Sequence, residues 1–170
     1  MRRLTLVVSS ALLPIAASAA EPEVVKRVLS FDTMFGVEGE FLASGTRMRG
    51  IQGADLPRTI GSATGSLGTD GRLTIAVRGL VYTDDDAVPA ELRGLNDDPS
   101  FRGGVSCLVE LGNGRVRSAN IFTPVVGADE NGNADIDAVL ELPDDCVAPV
   151  VLILSGSAQS VYAISGAKLD

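Results

Sequence analysis

The amino-acid sequence predicts an all-β fold, a single antiparallel β-sandwich of immunoglobulin-like or jelly-roll-like type with seven to nine strands. Three observations support this prediction. Apolar and polar residues alternate with a period of two in several segments, as expected of strands with one buried face. Turns rich in glycine and asparagine separate these segments at short intervals. One further segment, residues 150–154, is apolar at every position, which is typical of a strand in the centre of a core.

Residues 1–20 have the layout of a secretory signal peptide. Two arginines follow the first methionine, an apolar run extends over residues 4–17, and small residues at 17–20 offer a cleavage point. The apolar run is too short to span a bilayer. We therefore expect a periplasmic or secreted protein without an integral membrane segment, whose mature part, residues 21–170, forms one β-sandwich domain.

The mature chain begins with a strand and a hairpin. Residues 24–31 are rich in apolar and β-branched side chains, which favour a strand. Residues 59–67 and 72–81 flank the turn sequence Gly-Thr-Asp-Gly at 68–71, whose residues tolerate the positive φ of a tight turn. These features predict an antiparallel pair with one buried face.

The second half of the chain contains five more predicted strands, at residues 105–111, 115–121, 135–142, 150–154 and 161–165. A Gly-Asn-Gly turn joins the first two, which predicts a second hairpin. The apolar strand at 150–154 is expected to be covered on both faces.

Residues 84–104 form the longest irregular stretch, and long loops on a rigid sandwich often carry function. Within it, residues 89–93 begin with proline and are compatible with one helical turn. The sequence Phe-Arg-Gly-Gly at 101–104 indicates a bulge or a sharp bend rather than a ligand site.

The chain has two cysteines, Cys107 and Cys146. In an exported protein they most simply form one disulfide, which closes a loop of about 40 residues and stabilises the fold by about 4 kcal/mol. A redox or nucleophilic thiol would favour a Cys-x-x-Cys spacing or positive surroundings, whereas Cys146 follows two aspartates that disfavour a thiolate.

The composition excludes several classes of function. Without histidine there is no Ser-His-Asp or Cys-His arrangement and no histidine-ligated zinc. An enzyme would have to use carboxylates, one of two tyrosines (Tyr82 and Tyr162) or a lysine. The acids fall mainly in turns and at outward strand positions, and tryptophan, a common sugar-binding residue, is absent. We therefore expect a non-enzymatic protein without a cofactor; a carboxylate-based hydrolase is the less favoured alternative.

The charge distribution argues against nucleic-acid binding. The net charge is −8, and the basic residues, among them Arg47, Arg58 and Arg78, are scattered without interleaved aromatic residues. Such a chain repels phosphate backbones. The expected partner is a protein or an envelope ligand of unknown identity.

The sequence Asp-Glu-Asn-Gly-Asn-Ala-Asp-Ile-Asp at residues 129–137 is the densest group of oxygen ligands. Alternating carboxylates and amides suit Ca²⁺, so a calcium-stabilised extracellular module is an alternative function. Gly132 does not fall where an EF-hand loop requires glycine, and no glutamate closes the loop. The competing interpretation is a hairpin turn at Asn131-Gly132 surrounded by solvated acids.

Motifs along residues 34–166 resemble those of a group of small exported bacterial proteins of uncharacterised function. The motifs, in chain order, are Met34-Phe35-Gly36-Val37, Gly65-Ser66-Leu67 with Asp70-Gly71, Arg78-Gly79-Leu80-Val81, Phe101-Arg102-Gly103-Gly104-Val105-Ser106-Cys107, Ala134-Asp135-Ile136, Leu142-Pro143, Cys146-Val147-Ala148-Pro149 and Tyr162-Ala163-Ile164-Ser165-Gly166. The resemblance implies export, a β-rich domain and pairing of the two cysteines, and it implies no mechanism. Residues 61–65 and 73–80 are also similar to chordin-type β-sandwich domains, whose histidine-containing segment this chain lacks. The expected function is thus an exported binding or envelope-associated module.

Overall fold

The computed structural model describes residues 26–43 and 45–166. The predicted signal peptide, residues 1–20, lies outside the described residues. Within them the chain forms twelve β-strands and one 3₁₀ helix (Gly39–Phe41), so the predicted all-β class is confirmed. The predicted number of seven to nine strands is wrong. The strands that the sequence pattern missed are two or three residues long, too short to show alternation, and are β2 (Met34–Gly36), β3 (Arg58–Thr59), β6 (Val81–Tyr82) and β9 (Val126–Gly127).

The first sheet has four antiparallel strands in the order β1, β4, β5, β10. Their bounds are β1 (Arg27–Phe31), β4 (Ser62–Gly68), β5 (Arg72–Arg78) and β10 (Ala134–Val139). Strands β4 and β5 form the predicted hairpin, with Leu67 opposite Leu73. The second strand of that hairpin therefore buries its leucine, isoleucine and valine on one face, as the alternation predicts.

The second sheet is also antiparallel and has the order β2, β12, β11, β7, β8, with β9 paired to the first residues of β7. The long strands are β7 (Ser100–Leu111), β8 (Arg115–Phe122), β11 (Val147–Ser155) and β12 (Val161–Ser165). The Gly-Asn-Gly turn joins β7 to β8, which confirms the second predicted hairpin. Strands β3 and β6 form a separate two-stranded ladder.

The two sheets pack face to face around one hydrophobic core. Its largest buried side chains come from both layers and include Leu67, Leu73, Ile75, Phe101, Val105, Val151 and Ile153. Interdigitation of the two inner faces is the packing expected of a sandwich. The predicted β-sandwich therefore describes the fold correctly.

Residues 101–104 do not form the predicted bulge. They pair in regular register with β11, with Arg102 opposite Leu154 and Gly104 opposite Leu152. Gly103 faces the other sheet, and a Cβ built on it would lie 3.2–3.3 Å from side-chain atoms of Leu73, Ile75 and Ile136. The glycine is therefore explained by close packing between the sheets, and the irregularity lies instead in β11, between Val147 and Val150.

A loop segment, residues 37–43 and 45–54, covers the outer face of the second sheet. Val37 and Met48 of this segment pack on Leu152, Leu154 and Val161 in a second buried cluster. Because Val151 and Ile153 point into the main core, residues 150–154 of β11 are covered on both faces. The prediction for residues 150–154 is confirmed.

The hairpin predicted at Asn131-Gly132 is absent, because the acidic turn does not join two strands that pair with each other. It connects β9, which pairs with β7, to β10, which pairs with β5, so the chain crosses between the sheets here. Gly132 has a φ of 68°, and a Cβ on it would collide with the Leu80 carbonyl oxygen. Gly132 therefore belongs to a turn that connects the two sheets. The same local sequence would also suit a hairpin turn, so the sequence alone does not distinguish the two.

The predicted disulfide between Cys107 and Cys146 is present, with a sequence separation of 39. It joins β7 to the residue that precedes β11, and the closed loop contains β8, β9 and β10. The bond is consistent with an oxidising compartment. In the described part of the chain, no helix is long and apolar enough to cross a bilayer.

Candidate functional site

The candidate site is centred on Arg58, the first residue of β3, which pairs with Tyr82 of β6. Its side chain is only 2% exposed. Arg58 is one of the basic residues scattered along the sequence, and the sequence pattern carries no sign that it is buried. A buried arginine needs partners for its charge, so the residues around Arg58 define a polar site.

Two tyrosine rings contact the Arg58 guanidinium. Its central carbon lies 4.0 Å from the ring centroid of Tyr82 and 3.8 Å from that of Tyr162. The Tyr162 ring is held in turn by an edge-to-face contact with Phe101. Cation–π attraction is stronger in a desolvated position such as this one. Three strands that are distant in sequence, β3, β6 and β12, therefore meet at one cation.

The long loop between β6 and β7 supplies the hydrogen-bond acceptors. Arg58 Nη1 donates to Asn96 Oδ1 at 3.3 Å, and Nη2 donates to Asp97 Oδ1 at 3.2 Å. The hydroxyl of Tyr82 donates to the same Asp97 oxygen at 2.8 Å. The Asp97 side chain is about half exposed, so the charge pair lies at the surface end of the site. The single helical turn that the sequence allows at residues 89–93 takes the form of a hydrogen-bonded turn, in which the backbone N–H of Leu92 donates to the Pro89 carbonyl oxygen at 2.9 Å.

Asp98 is buried beside this pair. Its Oδ2 accepts hydrogen bonds from the Tyr162 hydroxyl at 3.0 Å and from Ser155 Oγ at 2.5 Å. Its Oδ1 accepts the backbone N–H of Ser100 at 3.2 Å. The sequence pattern predicts acids mainly in turns and at outward strand positions. The buried Asp98 is an exception, and three hydrogen-bond donors compensate its burial.

Burial raises the pKa of both tyrosines. The pKa of Tyr82 is raised to about 12 by burial and by its hydrogen bond to Asp97. The pKa of Tyr162 is raised as well, with burial as the largest cause. Both hydroxyls therefore stay protonated at neutral pH and act as hydrogen-bond donors, not as bases or nucleophiles.

A cavity of about 170 Å³ lies next to the arginine. Its walls include Arg58 and Thr83, and each contributes a buried polar atom, Nε and Oγ1, that has no hydrogen-bond partner among the described residues. Met34, Phe35 and Ile60 supply apolar walls. Unpaired buried polar atoms cost free energy, and the presence of two of them in residues that line one cavity makes this cavity the candidate binding site.

A second cavity, of about 250 Å³, adjoins the first and shares Phe35, Gly36 and Glu38 with it. Its other walls are largely apolar and include Phe41, Met48 and Ile164. Phe41 is 47% exposed, a large fraction for a phenylalanine. The two cavities together offer one polar and one apolar compartment side by side.

Gly36 sets the spacing between β2 and β3 at these cavities. A Cβ on Gly36 would collide with the carbonyl group of Arg58. The backbone N–H of Arg58 donates to the Val37 carbonyl oxygen at 3.0 Å. Glycine therefore lets β2 lie directly against the start of β3 and places Phe35 and Glu38 on the walls of both cavities.

The acidic turn forms a different structure. Asp129 Oδ1 accepts the backbone N–H groups of Asn131 and Asn133, and its pKa is lowered, chiefly by the backbone hydrogen bond from Asn133. Asp135 and Asp137 pair with Arg78 and Arg72 at 2.8 and 2.6 Å. Within residues 26–43 and 45–166, no group of three or more acidic or cysteine side chains could hold a metal ion.

Part of the site was predictable from the sequence. Tyr82 and Tyr162 are among the few groups that could carry chemistry, and the long irregular stretch at residues 84–104 provides Asn96, Asp97 and Asp98. Arg58 and Thr83 were not identified as site residues. Their significance arises from contacts across the fold, which no local spacing indicates. The disulfide contributes none of the site residues.

Comparison with known proteins assigns no family to this fold and site. No family model matches the chain, and no curated protein or solved structure shows significant similarity to it.

Proposed function

We propose that this chain is an exported, non-enzymatic β-sandwich module that binds an envelope-associated partner of a bacterial cell at the Arg58–Thr83 cavity. The observation that supports this most strongly is that two residues lining one cavity, Arg58 and Thr83, each contain a buried polar atom without a hydrogen-bond partner among the described residues. A ligand whose entry exposed these atoms would pair them and remove their desolvation cost on binding.

Binding fits the electrostatics of the site better than catalysis does. The carboxylates of Asp97 and Asp98 already accept hydrogen bonds from Arg58 and the two tyrosines. The raised tyrosine pKa values keep both hydroxyls neutral. Groups held in this way are preorganised as a rigid wall, which favours recognition.

Export is part of the same proposal. The disulfide is consistent with an oxidising compartment. The first twenty residues have the composition of a secretory signal peptide. Both features favour a periplasmic or secreted module, which would meet envelope components before other ligands.

Site-specific photo-crosslinking in cells that export the protein tests this function. A photoreactive phenylalanine analogue in place of Phe41 would sit at the rim of the apolar cavity. The control position is Val139, which is 66% exposed and lies on β10 of the other sheet. We expect a discrete adduct from position 41 and none from position 139.

Addition of Thr83→Val to the position-41 protein provides the second control. The adduct yield should fall by up to about tenfold, because valine preserves the side-chain shape but removes the Oγ1 atom. An adduct of equal yield at both positions, or a yield that Thr83→Val leaves unchanged, would contradict binding at this cavity. Absence of any adduct from exported, folded protein would contradict the proposed function itself.

A further inference from the structure

We propose that the outer edge of β8 binds an extended, acidic segment of a partner protein as an additional strand of the second sheet. β8 is the last strand of this sheet, in the order β2, β12, β11, β7, β8. One side of β8 therefore has no neighbouring strand among the described residues. This surface lies on a different element from the Arg58–Thr83 cavity, and the inference does not depend on the function proposed for that cavity.

The free backbone groups of β8 belong to alternate residues. Directly after the strand, the Thr123 N–H donates to the Gly103 carbonyl oxygen of β7 at 2.9 Å. Hydrogen-bonded pairs alternate along an antiparallel ladder, so the odd-numbered residues of β8 bond to β7 and the even-numbered residues direct their N–H and C=O groups outward. Val116 and Ser118 thus present backbone groups to which no other described segment bonds, and an added strand can pair with them.

Among the described edge strands, β8 is the one best suited to strand addition. It has eight residues, contains no glycine or proline, and pairs with β7 in unbroken register. The other edges are shorter, since β1 has five residues and a register shift, β2 has three residues and β10 has six. Short length, bulges and proline are common protections of a sheet edge, and β8 has none of them.

Two exposed arginines give this edge a positive charge without a counter-charge. Arg115 and Arg117 are two positions apart, so their side chains lie on the same face of the sheet. The ion pairs seen within residues 26–43 and 45–166 are formed by other arginines, namely Arg58, Arg72, Arg78 and Arg93. Glu110 of β7 pairs with Val116 and therefore points to the opposite face. The two arginines are thus available to acids of a partner.

These positions define the sequence pattern of the partner segment. Residues opposite Arg115 and Arg117 in an added strand are two apart and share a face with the arginines, so acids fit there. The residue between them lies opposite Val116, which is 61% exposed, and an apolar side chain fits that place. The expected partner is an extended segment with the pattern acid, apolar, acid.

The same charges argue against a second copy of this chain at β8. The strand carries no acid of its own to complement the arginines, and two chains with a net charge of −8 repel each other. Charges of one sign commonly keep a sheet edge from pairing with its own copy. Here they also select a partner of opposite charge.

Amide hydrogen exchange of the full mature domain, followed by nuclear magnetic resonance with the disulfide intact, tests the inference. The probe is the peptide acetyl-Thr-Val-Thr-Glu-Val-Glu-amide at saturating concentration. Exchange of the outward N–H groups of Val116 and Ser118 should slow by about tenfold or more, because they become hydrogen-bonded. Exchange at Arg117 and Ala119, which already bond to β7, should change less. The same peptide with lysine in place of glutamate should slow none of them.

Methylation of alternate backbone nitrogens in the peptide distinguishes strand addition from a contact between side chains. Methyl groups on the nitrogens that face β8 should abolish the protection, because they remove the hydrogen-bond donors. Methyl groups on the other alternate set should leave it, since those nitrogens point away from the sheet. Equal binding of both methylated peptides would contradict strand addition.

Variants of the protein test the role of the charges. Arg117→Gln should weaken the affinity for the glutamate peptide about threefold, as expected for loss of one exposed cross-strand charge pair. Arg27→Gln is the matched control, because Arg27 is an exposed arginine on β1, an edge of the other sheet, and it should leave the affinity unchanged.

Three results would overturn the inference. Unchanged exchange at Val116 and Ser118 with the glutamate peptide would show that this edge does not accept a strand. Protection at Phe35 and Phe41 instead would place the peptide at the cavities. Dimerisation of the protein alone in sedimentation analysis, with protection of the same outward N–H groups, would show that a second copy occupies the edge.

Discussion

The substitution Thr83→Val should stabilise the ligand-free protein, and it is the prediction most specific to this site. Thr83 Oγ1 is buried without a partner among the described residues, although the residue as a whole is partly exposed. Valine has nearly the same shape and is also β-branched, so it fits the same backbone conformation. Replacing the hydroxyl by a methyl group removes a desolvation cost and gives up no hydrogen bond seen in the structure.

The expected gain is about 1 kcal/mol in the free energy of unfolding. An unpaired buried hydroxyl costs about 1–3 kcal/mol, and the lower end applies because Thr83 is not deeply buried. The matched control is Thr74→Val on the open face of the first sheet. Thr74 Oγ1 is bonded to Ser66 Oγ at 3.2 Å, so that substitution should destabilise the fold by up to about 1 kcal/mol.

Urea unfolding followed by circular dichroism, with the disulfide intact, measures both variants. The midpoint should rise for Thr83→Val and stay level or fall for Thr74→Val, with unchanged slopes. Because binding would exploit the unpaired hydroxyl, the gain in stability should accompany a loss of affinity. A decrease of about 1 kcal/mol or more for Thr83→Val would show that the hydroxyl is hydrogen-bonded in the free protein and would refute the reasoning.

Three other predictions concern the disulfide, the buried Tyr82 and the acidic turn. Removing the disulfide by Cys107→Ala with Cys146→Ala should lower the free energy of unfolding by about 4 kcal/mol, because the unfolded chain regains loop entropy; a loss below about 1 kcal/mol in urea unfolding would contradict this. Stability should fall as the pH rises from 10.0 to about 12, because the folded state retains the Tyr82 proton that the unfolded state has lost. The free energy of unfolding of Tyr82→Phe should fall less over this pH range. An identical pH dependence of stability for the variant and the wild type would contradict a raised pKa of Tyr82. Finally, millimolar calcium should leave the melting temperature unchanged, since Asp129 caps its own turn and residues 135 and 137 are paired to arginines; a raised temperature that chelator reverses would favour the calcium alternative.

The sequence predicted features that depend on neighbours along the chain. Both hairpins follow from alternation on either side of a glycine turn, and the burial of residues 150–154 on both faces follows from their uninterrupted apolar character. The two cysteines were predicted to form a disulfide because the chain was expected to be exported to an oxidising compartment, and the disulfide is present. In each case the determinant is local or involves only two residues of a rare type.

Features that depend on packing between distant segments were predicted wrongly or not at all. Gly103 was interpreted as a bend because local rules assign glycine to irregular backbone, whereas it allows the facing sheet to pack closely. The turn at Gly132 joins two sheets, although its sequence is that of a hairpin. Arg58 is buried because three distant aromatic and acidic segments converge on it, and a single arginine in a strand-like segment carries no sign of such partners.

The most direct test of the central claim, recognition at the Arg58–Thr83 cavity, is co-sedimentation of the purified mature domain with bacterial envelope fragments. We predict saturable binding of the wild type, similar binding of Thr74→Val, and binding of Thr83→Val that is about tenfold weaker, as expected for loss of one buried hydrogen bond. Equal binding of all three proteins, or none by the wild type, would contradict the claim.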